Sequence, residues 1–193
     1  MESIVDVKAS VLGAGSKLLK EHGIAALTQP RVAIAAGVKQ SHLTYYFPKR
    51  SDLLLGIAAH VIDETMSALS SRLETAPPQA AFAETIGAMM IEGIPPRIMI
   101  GLIVAADEEP TLRVPLRELI GGVRKRIEEM LDRVGMAESG NAARILHATV
   151  VGLAIMHHAQ HTAASATDVR EGLADVIDLL LVEQSPLPTG DKR

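Results

Sequence analysis

The sequence predicts an all-α protein: a three-helix N-terminal unit followed by a larger helical domain, about nine helices in all. Three observations carry this. Apolar residues recur at the spacing of one helix face from end to end. Glycine or proline closes most of these periodic stretches. The aromatic residues are confined to Tyr45, Tyr46, Phe47 and Phe82. The apolar mass is therefore Ala, Leu, Ile, Val and Met, which favours helix packed on helix over a β-sandwich.

Each element has its own signal. Ile4, Val7, Val11, Leu18 and Leu19 mark the first helix, and Gly23 is a natural stop. Thr28 caps a short second helix that tolerates Pro30 in its first turn and ends at Gly37. A third helix covers about Lys39–Phe47. Pro48 restarts the chain into a long fourth helix with Leu53, Leu54, Ile57, Val61 and Leu69 on one face, closed by Pro77 and Pro78. Helices are then expected at Ala80–Glu92, ended by the Gly93–Pro96 cluster, and at Arg97–Ala106. Leu116, Ile120, Val123, Ile127, Met130 and Val134 outline a seventh, stopped at Gly135. Ala142–Thr162 and Asp168–Val182 complete the set, and Gln184–Arg193 reads as a frayed tail. The domain division expected is 1–52 for the N-terminal unit, 53–183 for the helical domain and 184–193 for the tail.

A chain of 193 residues, 48% hydrophobic and 22% charged, has an ordinary globular composition, which excludes wholesale disorder. It holds no cysteine, so disulfide staples, zinc ribbons, thiol catalysis and iron–sulfur clusters are excluded together. The net charge of −4 hides an asymmetry. Residues 1–60 carry seven Lys/Arg against four Asp/Glu, a balance of +3; the rest carries twelve against nineteen, a balance of −7. Polyanion binding therefore belongs at the N-terminus. Lys8 and Asp6 interrupt any signal-peptide core. The uncharged stretch Ile145–Thr167 is broken by His147, Thr149, His157, His158, Gln160 and His161, and its apolar run, within Ala148–Met156, is short of the roughly 20 residues a bilayer needs. A buried helix, no membrane partner and a cytoplasmic location are expected.

The segment Thr28–Val38 joins two short helices through a glycine, a helix-turn-helix pattern. Val32, Ala35, Val38 and Leu43 are expected to bury the corner, with small Ala33 and Ala36 letting the helices approach. On the second helix of the pair, Leu43 and Phe47 face inward. Ser41, His42 and Tyr45 lie on the other side, with Lys39 and Gln40 at its start. Those residues offer donors, acceptors and flat rings where a helix N-terminus meets base edges and phosphates. Tyr45 and Tyr46 are expected at the surface, because so small a core has little room for three adjacent rings. Lys49 and Arg50 oppose the dipole at a helix start, which suits a phosphate-facing role better than a merely solvated one.

Here the chain resembles a family. Gly23, Leu27-Thr28, Val32-Ala33, Ala36-Gly37-Val38 and the run Ser41-His42-Leu43-Thr44-Tyr45-Tyr46-Phe47-Pro48-Lys49-Arg50-Ser51-Asp52-Leu53-Leu54 look like the DNA-binding domain of TetR-type (tetracycline-repressor-like) transcriptional regulators. The likeness spans about residues 5–58; the remainder is similar only in length and helix count. The family usually places a Tyr where this chain has Thr44, so the contact made by that Tyr passes to Tyr45 or is lost. The resemblance implies a three-helix DNA-binding domain, an all-helical regulatory domain, a homodimer through the last two helices, and release of DNA when a small ligand binds.

On that footing Thr28, Gln29, Arg31, Lys49 and Arg50 are expected to position the DNA backbone, while Gln40, Ser41, His42 and Tyr45 read bases. Lys39, Thr44 and Tyr46 complete the candidate set. The dimer seam is expected at Ile145, Thr149, Gly152 and Leu153 of the eighth helix, and at Leu173, Val176 and Leu180 of the ninth. The apolar stripe of the ninth helix is Val169, Leu173, Val176 and Leu180. Methionines serve equally well as plain core or as walls of a pliable apolar pocket. The pocket reading lines it with Met66, Met89, Met90, Met99, Ile103, Ile120 and Met156, with His147 or His157 as polar anchor, for a small hydrophobic effector.

His157 and His161 have the i, i+4 spacing of metal ligands, but no carboxylate follows at ligand spacing on that helix. No metal and no cofactor are expected. There is no Walker loop, no Gly-x-Ser-x-Gly and no dinucleotide fingerprint, and the adjacent pairs Glu108-Glu109 and Glu128-Glu129 point different ways on a helix. No catalytic residue is assigned. The expected function is a DNA-binding transcriptional regulator, a ligand-released repressor on a palindromic operator. The alternatives are a helical-bundle enzyme or binding protein, which would not retard DNA, and a DNA-binding dimer without an effector, which no ligand would release.

Overall fold

The computed structural model describes residues 6–75, 80–92, 96–133 and 141–182, and these are helical almost throughout. The described residues form α1 (Val7–His22), α2 (Gln29–Ala36), α3 (Gln40–Tyr46), α4 (Arg50–Thr75), α5 (Ala80–Glu92), α6 (Pro96–Glu108), α7 (Arg113–Arg133), α8 (Ala142–Gln160) and α9 (Ala163–Val182). Short 3-10 turns at Ile24–Ala26 and Pro110–Leu112 follow α1 and α6. The tail expected at 184–193 and the stop at Gly135 lie outside the described residues.

The chain divides into two compact units. The first holds residues 1–65 and 95–120, so the helix-turn-helix segment shares its unit with the first half of α4 and with α6. Asp6 caps α1, its carboxylate accepting from the N–H groups of Lys8 and Ala9 at 3.0 and 3.2 Å. Gly37 ends α2 at φ 66°, and Val38 N–H reaches back to Ala33 O at 3.0 Å, which closes the helix end. Val32, Leu43 and Phe47 are buried at the corner as expected. Ala35 is not; it is exposed, and Ala33 fills the place assigned to it, while Val38 is half-buried.

Two glycines seat this assembly on α4. A β-carbon at Gly15 of α1 would lie 2.3 Å from Ile57 Cδ1, and one at Gly56 of α4 would lie 2.7 Å from Phe47 Cε1. On α6, Ile98, Leu102 and Ala106 are buried, and a β-carbon at Gly101 would strike Ile24 Cδ1 at 1.7 Å. By length and composition, α4 over Arg50–Arg72 is apolar enough to cross a membrane. Its residues Leu53, Leu54, Ile57, Ala58 and Val61 are instead sealed inside the first unit as core.

The second unit holds residues 66–94 and 121–193, built on α5, α8 and α9. Gly87 lets Arg170 approach α5, since a β-carbon added there would lie 3.6 Å from Arg170 Cγ, and Gly172 seats Leu153 in the same way at 3.5 Å. α9 begins five residues before the expected Asp168, and Thr162 belongs to its cap rather than to the end of α8. Ser165 N–H donates to Thr162 Oγ1 at 3.1 Å while Thr162 N–H donates to Ser165 Oγ at 3.2 Å, a reciprocal capping box. His161 bridges the two helices in the left-handed region at φ 50°.

Candidate nucleic-acid interface

The outer face of α3 is the exposed polar surface of the motif. With Leu43 and Phe47 buried, Lys39, Gln40, Ser41, His42 and Tyr45 stand in solvent, and Tyr45 is 80% exposed. Its ring meets that of Tyr46, also exposed, edge to face with centroids 5.1 Å apart. Arg31 on α2 is exposed as well. These are the residue types and the helix end that a DNA groove can receive.

Other candidates have protein partners. Thr28 caps α2 with its backbone, accepting from Val32 N–H at 3.0 Å, and is half-buried. Gln29 Nε2 donates to Phe47 O and Pro48 O. Thr44 Oγ1 turns back on its own helix to Gln40 O at 3.0 Å and Ser41 O at 3.2 Å. Arg50 Nε donates to Leu27 O at 3.3 Å. Lys49 N–H donates to Asp52 Oδ2 at 3.0 Å, and its ammonium pairs with Glu109. Glu109 raises the Lys49 pKa. In turn the Lys49 ammonium first, with the Ser51 and Thr111 hydroxyls nearby, holds the Glu109 carboxyl below its ordinary range. Glu109 is the residue that sequence reasoning missed at this surface, because 60 residues separate the pair. Ile34, 81% exposed on α2, was not singled out either.

The expected seam residues divide in two. Ile145, Thr149 and Gly152 lie on one face of α8, where Ile145 is exposed and Gly152 has open space over its α-carbon. Met156, expected in the pocket, continues that face and is 53% exposed. Val176 of α9 is half-buried, and Leu179 is 67% exposed. Leu173 and Leu180, in contrast, are buried inside the unit with Val169 and Ile177. Their stripe packs within the chain, and Leu153 sits against Gly172.

The pocket candidates are spread over both units. Met99, Ile103 and Ile120 belong to the first, and Ile103 is a surface residue rather than a lining one. In the second unit Met66 and Met90 are buried and Met89 is half-buried. His147 is half-buried; burial, and next the Arg124 charge, push its pKa below the ordinary 6.5. Arg124 was not singled out in the sequence, and its Nε is sealed from solvent without a hydrogen-bond partner among the described residues. His157 is turned inward to the capping box, its Nδ1 2.8 Å from Ser165 Oγ. Its ring stacks at a tilt on His161, with centroids 5.9 Å apart. Among the described residues no three His, Asp or Glu side chains are grouped to hold a metal ion.

Comparison with known proteins adds to this geometry. The family model for bacterial regulatory proteins of the tetR family matches residues 11–57, and that for the tetracyclin repressor-like C-terminal domain matches residues 97–180. No curated protein matches the sequence. Among solved structures, a TetR-family transcriptional regulator from Cytophaga hutchinsonii is similar with a TM-score of 0.69 at 14% identity, over 92% of this chain and 97% of that one. A transcriptional regulator from Rhodococcus sp. Rha1 gives 0.66 at 21% identity, over 94% and 99%. The multidrug binding protein EbrR, complexed with imidazole, gives 0.62 at 22% identity, over 97% and 99%. These structural likenesses are likenesses of fold.

Proposed function

Because the chain belongs to the tetR family of regulators and is a DNA-binding transcriptional regulator, we propose that it is a homodimeric repressor seating two copies of α3 on a palindromic operator. The observation that carries this is the split character of α3: Leu43 buried below, Gln40, Ser41, His42 and Tyr45 exposed above. Arg31 and Lys39 flank that face and supply sequence-independent attraction to phosphates. The division into a reading head at 1–52 and a regulatory part at 53–183 fits this role, and a regulator working on the chromosome sits in the cytoplasm.

The homodimer is supported by one face of α8, where Ile145, Thr149, Gly152 and Met156 follow one another at helical spacing and Ile145 and Met156 are exposed among the described residues. The effector we propose is a small, largely apolar molecule held against Met66, Met89 and Met90, with His147 as polar anchor. That EbrR, with the same fold, is a multidrug binding protein supports a ligand-binding role for the helical half. Such a ligand lowers DNA affinity by favouring the dimer whose recognition helices are mis-spaced.

The experiment is selection of bound fragments from random or genomic DNA, followed by gel retardation with and without a panel of hydrophobic compounds. Enrichment of a palindrome with half-sites about one helical turn apart is the expected result. Failure to enrich any sequence would refute the reading. Compounds that raise the melting temperature without changing DNA affinity would remove the effector part alone.

A further inference from the structure

We propose that Glu109 sets the DNA affinity of this regulator by occupying Lys49, so that its carboxylate and a DNA backbone phosphate compete for one ammonium group. This rests on the DNA-binding reading above and adds to it a residue far outside the helix-turn-helix segment.

Lys49 stands where the recognition helix hands over to α4. Its backbone N–H is consumed by Asp52, which fixes the position of its α-carbon. Its side chain is 62% exposed, so the ammonium is within reach of a phosphate in solvent. In the structure that ammonium is bonded to Glu109 Oε1. Glu109 is held in its turn: it follows the last residue of α6, its N–H donates to Ala105 O at 2.8 Å, and Thr111 Oγ1 donates to the same carboxylate oxygen at 3.1 Å. The neighbouring acid Asp107 turns to Arg113, at 3.8 Å, and does not share Lys49.

A carboxylate oxygen and a phosphate oxygen ask the same thing of an ammonium: a short, charge-assisted hydrogen bond. One Lys49 tip facing two such acceptors divides its time between them. The internal pair is at the surface, where water and salt weaken it, so a phosphate can displace it. Glu109 also places a negative charge beside the path of the DNA backbone. Both effects act in the same direction, against binding, and neither depends on the base sequence. Linkage makes the relation mutual: DNA loosens Glu109 from Lys49 by the same factor by which Glu109 weakens DNA. Glu109 is thus a positioning residue, acting through Lys49.

The test is a double-mutant cycle read by fluorescence anisotropy on the selected operator and on an unrelated duplex. Glu109→Gln should tighten both about threefold at low salt, with the gain shrinking as salt rises. In a Lys49→Met background the same substitution should change affinity far less, because no ammonium remains to release. Thermal melts of all four proteins check that the fold is kept. Unchanged or weakened binding by Glu109→Gln overturns the proposal, as does an equal gain in the Lys49→Met background. Wild-type protein that binds neither duplex overturns the DNA-binding reading itself, and so is told apart from failure of this proposal alone.

Discussion

Gln29 Nε2 donates to the carbonyl oxygen of Phe47 at 2.7 Å, tying the first turn of α2 to the residue that ends α3. The same amide reaches Pro48 O at 3.2 Å. A residue expected to face the DNA backbone therefore has a second duty, bracing the turn that leads into α4. Gln29→Ala should lower stability by about 1–2 kcal/mol, since two carbonyls lose their donor. Gln29→Glu should cost more at neutral pH, because a carboxylate there faces two acceptors. Urea denaturation of the three proteins checks this; an unaltered midpoint in both variants would show the brace to be idle.

At the DNA surface, Arg31→Ala should weaken operator and unrelated duplex alike and reduce the salt slope by about one. Gln40→Ala should instead relax preference at one base pair, a loss of about 1–3 kcal/mol confined to the cognate site. Arg50→Ala is a poorer probe of phosphate contact, because its bond to Leu27 O makes it part of the head's own structure. Binding isotherms at several salt concentrations separate these effects. A sequence-dependent loss from Arg31→Ala would contradict the assignment.

For the subunit seam, Gly152→Arg and Leu179→Glu should yield folded monomers, since both positions are open on a single chain. Leu180→Glu should unfold the second unit instead, because it buries a charge among the α9 core residues. Sedimentation velocity with circular dichroism distinguishes the outcomes. Dimers that persist in both surface variants would place the interface elsewhere.

His147 makes stability depend on pH. Its folded pKa lies below the ordinary 6.5, chiefly through burial and then through Arg124. As pH falls, the unfolded chain takes the proton first. The stability held by neutral His147 is therefore full above about pH 6.5 and drains away below it. Denaturation midpoints at pH 7.5 and 5.5 should converge in His147→Gln relative to wild type, and Arg124→Gln should move part of the way. Equal pH dependence in wild type and His147→Gln would exclude this group as the cause.

The motif was legible because its information is local. Gly37, the buried spacing of Val32, Leu43 and Phe47, and the polar face of α3 all lie within 20 residues of one another. The stripe on α9 was legible as a stripe and misread as a seam. Periodicity tells which face is apolar but not whether α5 of the same chain or a second chain covers it; here Leu173 and Leu180 are covered from within. The start of α9 was missed because Ala163 and Ala164 carry no apolar period and the cap at Thr162 reads like a helix end. Nothing in a linear reading joins Lys49 to Glu109, since only the return of α6 to the first unit brings them together.

The glycine seats at Gly15 and Gly56 gear α1 and the end of α3 to α4. Packed interiors resist compression, so α1 and Ile57, and Phe47 and α4, are expected to move together rather than slide past one another. At the turn between α3 and α4, Gln29 grips the Pro48 carbonyl and Asp52 grips the next N–H, so both sides of the turn are held. A rotation of the first half of α4 should therefore carry α3 with it, and the arc swept by Tyr45 would lengthen with its distance from the pivot.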